Sequence, residues 1–136
     1  MQTAGVQIFS LLRVGIYVFV LTGSPTSSAL TIDERLSTIV DRSNADFPKM
    51  VGPNIRQEKA RYGDRTLTYS YTHLTLTATE TAKLDLNRRS HLVPVSCQDP
   101  FTRRLLREGI SLRYLYFGRD GKVAGDVLVQ KRDCGL

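Results

Sequence analysis

The sequence predicts an α+β domain in the order α-β-β-α-α-β-β, with two antiparallel hairpins and helices packed on one sheet face. Three observations lead there. Apolar residues recur at helical spacing in Ile32, Leu36, Ile39 and Val40. They alternate with polar ones in Leu67-Thr68-Tyr69-Ser70-Tyr71 and in Ile110-Ser111-Leu112-Arg113-Tyr114. Gly-Asp and Asp-Gly dipeptides stand where two hairpins must close.

The elements follow in chain order. Thr31-Ile32-Asp33-Glu34 is a capping box, in which the Thr hydroxyl accepts a first-turn N–H and the Glu reaches back. It starts a helix over 32–44 that ends before Phe47-Pro48, because a residue preceding Pro is pushed out of the helical region. Residues 54–62 read as a strand, Gly63-Asp64 as a turn and 65–77 as the returning strand. On that strand Leu67, Tyr69 and Tyr71 share a face. Beyond His73 the apolar phase shifts to Leu74 and Leu76, which suggests a bulge or a strand passing between two layers.

A partly periodic helix follows over 79–92, carrying Leu84 and Leu86, with Pro94 interrupting its end. Asp99-Pro100 then starts a clearer helix, the Asp as cap and the Pro at the first helical position, where its missing N–H costs nothing. Phe101, Leu105 and Leu106 are expected inward and Arg103, Arg104 and Arg107 outward, with Gly109 as the left-handed terminator. Residues 110–117 alternate again. Arg119-Asp120-Gly121-Lys122 is expected to form a primed hairpin turn. Val123, Val127 and Val129 line the last strand, which ends near Cys134.

The N-terminal stretch points to export. Arg13 precedes the uncharged run Val14 to Leu21, and small residues with a helix breaker follow as far as Ala29. These are the parts of a signal peptide, with Ser27 and Ala29 in the −3 and −1 positions, so cleavage is expected after Ala29. The apolar run is well short of the roughly 20 residues that span a bilayer. An uncleaved membrane anchor is the alternative. The expected organisation is a leader over 1–29 and one domain over 30–136, in the periplasm or secreted.

Cys97 and Cys134 are the two cysteines. In an oxidising compartment an even count of two reads as one disulfide, tying the end of the last strand to the start of the last helix. Closing a loop of 37 residues is worth about 4 kcal/mol in the chain-entropy estimate. No Cys-x-x-Cys and no zinc-like Cys/His spacing competes with it.

With 136 residues, 41% apolar and 24% charged, the composition excludes collagen-like, low-complexity and disulfide-dense chains. The net charge of +6 bears on partners, not on fold. No Gly-rich phosphate loop, Gly-x-Ser-x-Gly elbow or His-x-x-x-His metal pair is present. His73 and His91 each stand alone, without the positioned partner a general base needs. No catalytic residue, cofactor or metal is therefore expected.

Two sets of residues are candidate binding surfaces. Tyr69, Tyr71, Tyr114 and Tyr116 pair at spacing two on their strands, either as core packing or as an open aromatic face. Arg103, Arg104 and Arg107, with Arg88 and Arg89, form basic clusters that suit an acidic protein or an anionic envelope surface. Nucleic acid is not expected after export, and a membrane enters only through an uncleaved leader.

Several segments together carry a resemblance. They are Phe47-Pro48-Lys49-Met50-Val51, Leu67-Thr68-Tyr69-Ser70-Tyr71, Cys97, Arg104-Leu105-Leu106 with Gly109, Tyr114-Leu115-Tyr116, Asp120-Gly121 and the closing Cys134. The chain resembles a widespread group of small exported bacterial proteins of unassigned function. The resemblance implies export and the disulfide, and brings no catalytic residue. The leading functional expectation is a non-enzymatic module that binds another envelope protein, as an accessory of a secretion, conjugation or surface system. An inhibitor or immunity-type protein for an exported enzyme and a small wall-polymer hydrolase are the alternatives.

Overall fold

The computed structural model describes residues 29–84 and 87–136. The leader and Leu86 thus lie outside the described residues, apart from Ala29. No helix among the described residues is long and apolar enough to cross a membrane.

Helix α1 spans Ile32–Ser43, and the Thr31/Glu34 capping box forms as expected. Leu36 and Val40 are buried, whereas Ile39, expected beside them, is exposed. A 3-10 turn over Asn44–Asp46 carries the chain away from α1.

Strand β1 (Lys49–Gly52) was not foreseen; it pairs antiparallel with β2 (Ile55–Gln57). The strand expected over 54–62 is two strands, β2 and β3 (Arg61–Gly63), both pairing antiparallel with β4 (Thr66–His73). The interruption has a clear cause. The Asn44 side chain bonds both backbone groups of Ala60, accepting its N–H and donating to its carbonyl, each at 2.8 Å. An amide thereby takes the place of a ladder partner, and Ala60 turns into the core.

The turn between β3 and β4 uses Asp64 and Arg65, at φ 48° and 52°, and not Gly63-Asp64. Two left-handed residues in a two-residue loop match the twist of the strands. Arg65 is held there from both ends: its carbonyl accepts from Ser111 N–H at 2.9 Å and its guanidinium donates to the Glu108 carbonyl. Beyond His73 there is neither a bulge nor a continuing strand. The His73 ring accepts the N–H of Leu76 at 3.2 Å and turns the chain out of the sheet.

The single helix expected over 79–92 is replaced by α2 (Ala78–Leu84) and α3 (Arg88–Gln98). Pro94 lies inside α3 instead of ending it. The carbonyl it leaves without a helical donor belongs to Ser90, and both residues are exposed, so water can replace the lost bond. Helix α4 spans Pro100–Arg107 with Asp99 as cap, its carboxylate accepting Thr102 N–H at 2.7 Å. Thr102, not Phe101, joins Leu105 and Leu106 on the buried face, and Phe101 is left 45% exposed. Gly109, at φ 78°, terminates α4 as expected.

Strands β5 (Ser111–Phe117) and β6 (Val123–Val129) form the final hairpin. Its turn is a three-residue loop, not a two-residue primed turn. Gly121 N–H bonds the Gly118 carbonyl and Gly118 N–H bonds the Lys122 carbonyl, both at 3.0 Å. Gly121 alone takes positive φ, at 71°, as in a type I turn followed by a left-handed bulge residue. The register shifts at Tyr116/Phe117, so Val123 leaves the apolar face and is exposed.

The sheet order is β1-β2-β4-β5-β6, with β3 also on β4; β4 and β5 are parallel, and α2, α3 and α4 connect them. Hairpin strands can be joined by a tight loop, but a parallel pair requires such a crossover. The helix-covered face carries Leu67, Leu112, Val127 and Val129, which meet Leu36, Val40, Leu105, Leu106 and Ile110 in the core. Each fully buried aliphatic side chain contributes about 1.5–3 kcal/mol relative to exposure. The disulfide joins Cys97, near the end of α3, to Cys134 in the closing 3-10 turn (Lys131–Cys134), with Cα atoms 5.3 Å apart.

Candidate binding cleft

The parallel register decides where the tyrosines go. Tyr69 stands opposite Tyr114 and Tyr71 opposite Tyr116, so four rings form two rungs on the helix-covered face. Ring centroids are 5.8 Å apart in the first rung and 5.2 Å in the second, with interplanar angles of 27° and 18°. Such offset stacks are worth about 0.5–1.5 kcal/mol beyond area burial. All four tyrosines are half-buried.

The two rungs differ in their surroundings. Tyr69 and Tyr114 pack against the core, and the Tyr114 hydroxyl pairs with Ser96 Oγ at 3.0 Å. Tyr71 and Tyr116 stand beyond it and wall a cleft of about 190 Å³ under α2. Burial, reinforced by the neighbouring tyrosines, pushes the Tyr71 phenol well above the ordinary tyrosine range. Burial raises Tyr69 as well, with Tyr114 and then Asp99 adding to it.

Arg88 closes the back of the cleft. It is buried, and its guanidinium carbon lies 4.1 Å from the centre of the Tyr116 ring. Gly125, paired with Tyr116 across β5 and β6, makes room for it, since a Cβ at that position would collide with the guanidinium. Ile55, Phe117 and Leu84 supply apolar walls, and Leu84 stands on the rim at 72% exposure. His73 lines the open side. Its Nδ1 accepts backbone N–H groups, so the neutral ring carries its proton on Nε2. Thr81 also lines the cleft, and among the described residues its buried hydroxyl has no hydrogen-bond partner.

The expected residues therefore separate. The tyrosines lie under the helices. Arg104 and Arg107 lie on the outward side of α4, and Arg103 is partly buried with its guanidinium bonded to the Cys97 carbonyl at 3.1 Å. Arg88 and Arg89 do not form an exposed basic cluster. Arg88 is packed on Tyr116, and Arg89 is tied to Asp133 and to the Leu128 carbonyl at 2.8 and 2.6 Å.

Sequence reasoning missed Ile55, Thr81, Leu84, Arg88 and Phe117 as parts of one cleft. One signal was present: Gly125 breaks the alternate series Val123, Val127 and Val129, and a strand glycine often marks a close approach.

No family model matches the chain, and no curated protein matches it in sequence. Solved structures do match. A Pseudomonas aeruginosa protein provisionally described as secreted superposes with a TM-score of 0.65 at 17% identity, covering 75% of this chain and 91% of that one. The type 2 secretion system pilotin EpsS of Vibrio vulnificus has a TM-score of 0.62 at 20% identity, over 75% and 90%. The type II secretion system pilotin AspS of Vibrio cholerae has a TM-score of 0.56 at 20% identity, over 75% and 91%. At these identities the likeness is one of fold.

Proposed function

We propose that this chain, one of a group of small exported bacterial proteins, is a non-enzymatic accessory of a secretion apparatus in the envelope. It binds a subunit of that apparatus by taking one apolar side chain of the partner into the Tyr71/Tyr116 cleft. The observation that carries this is the cleft's size and lining. Small-molecule sites commonly enclose about 300–1,000 Å³, whereas 190 Å³ suits a single anchor residue. Aromatic walls and an exposed leucine on the rim are what such an anchor buries on docking. The fold shared with two secretion-system pilotins supports the choice of apparatus.

Leu84→Asp puts a charge on the rim without touching the core. It is expected to weaken saturable capture of a secretion-apparatus subunit from envelope extracts by about tenfold or more. Lys59→Asp, on the opposite face of the sheet, is expected to leave capture within about twofold. Equal capture by both variants at wild-type strength would overturn the reading.

A further inference from the structure

Helix α4 presents a second surface, separate from the cleft. Helical spacing places Thr102, Leu105 and Leu106 on the buried face, so Arg104 and Arg107, three residues apart, fall on the outward pole. Phe101 flanks Arg104 there and keeps 45% of its surface exposed. The closing 3-10 turn packs against α4 and adds exposed Lys131 and Arg132. Among the described residues none of these four cations makes an ion pair, whereas Arg56, Arg65, Arg89 and Arg113 each do.

We propose that this surface rests on an anionic lipid bilayer, with Phe101 entering the headgroup layer and Arg104, Arg107, Lys131 and Arg132 meeting lipid phosphates. Charge complementarity is the first argument. Near an anionic leaflet each cation raises the partition coefficient about fivefold, so four together give on the order of several hundredfold over neutral lipid. Shape is the second. The surface is the outward side of a helix with an exposed ring beside it, which a deformable bilayer can enclose. A single ring adds little apolar area, so the contact is peripheral and reversible.

The placement also suits the cleft. Helix α4 ends where β4 and β5 begin, with Arg65 bonded to the Glu108 and Ser111 backbones. The cleft lies where those strands end, at His73 and Phe117. A chain seated on lipid through α4 keeps its cleft clear of the bilayer.

The test is co-sedimentation of the full chain with phosphatidylethanolamine vesicles containing either phosphatidylglycerol or phosphatidylcholine. The difference between the two cancels any charge-independent binding, including that of an apolar leader. Stronger binding to the phosphatidylglycerol vesicles is expected, reversed by salt. Arg104→Gln with Arg107→Gln is expected to lower that binding about thirtyfold. Phe101→Ser is expected to lower it about fivefold. Lys59→Gln with Arg61→Gln removes the same charge from the open sheet face and is expected to change it by no more than about twofold. Equal binding to both vesicle types would overturn the proposal. So would equal losses in the two double variants, which would reduce the effect to net charge. Retention of polyglutamate without vesicle binding would assign the surface to an acidic protein instead.

Discussion

Gly125 shows how much one missing methyl can decide. Without a Cβ on β6, the Arg88 guanidinium lies across the strand and covers the Tyr116 ring. Gly125→Ala forces that side chain off the ring and is expected to cost about 2 kcal/mol, read from the urea midpoint. Because both residues share one contact, a cycle with Arg88→Ala is expected to fall short of additivity by about 1 kcal/mol. Additive costs would mean that the two side chains do not meet. Tyrosine positions were legible in the sequence because alternation assigns a face. Arg88 was not, because a charged residue in a basic run reads as solvated until a glycine far along the chain but beside it in space admits it to the interior.

At the scale of elements, short polar bonds at helix ends and between strands link stability to acid. Hydrogen bonding from Thr102 N–H holds the Asp99 carboxyl below the ordinary aspartate range, and that from Gln130 N–H does the same for Asp133. The Arg113 guanidinium lowers Asp126 across the β5–β6 pair. A carboxyl depressed in the folded state stabilises it fully above the unfolded value of about 3.8, and that contribution is lost as pH falls through the depressed values. Denaturant midpoints are therefore expected to fall below about pH 4. Asp126→Asn should flatten that slope, and an unchanged slope would remove Asp126 from the account.

The same scale separates legible elements from illegible ones. The Thr31 box, the Asp99-Pro100 start and the Gly109 stop carry their own local chemistry, and each stands where the sequence put it. The break between β2 and β3 depends on Asn44, sixteen residues before Ala60, and β1 lies exposed with no alternation to announce it. The division into α2 and α3 was hidden by weak periodicity. Pro94 misled because its cost depends on which face of the helix it occupies.

Across the whole molecule, the disulfide connects α3 and the closing turn around the core edge that supports Tyr114. Replacing both cysteines with alanine is expected to lower stability by about 4 kcal/mol. A loss below about 1 kcal/mol would mean that the bridge constrains little of the unfolded chain. The α+β class and both expected hairpins were legible, because hydrophobic period and turn residues are local. The parallel joining of β4 to β5 was not, since it depends on how three helices pack across the sheet. The candidate cleft exists only through that joining: one residue of register slip would send Tyr71 and Tyr116 to opposite faces.

Site-specific photocrosslinking in intact envelopes tests the partner-binding cleft most directly. A photoreactive residue at Leu84 is expected to give one discrete adduct with a secretion-apparatus subunit, and the same residue at Thr68 on the open sheet face none. An adduct formed from Thr68 and absent from Leu84 would place the partner on the other face and contradict the account.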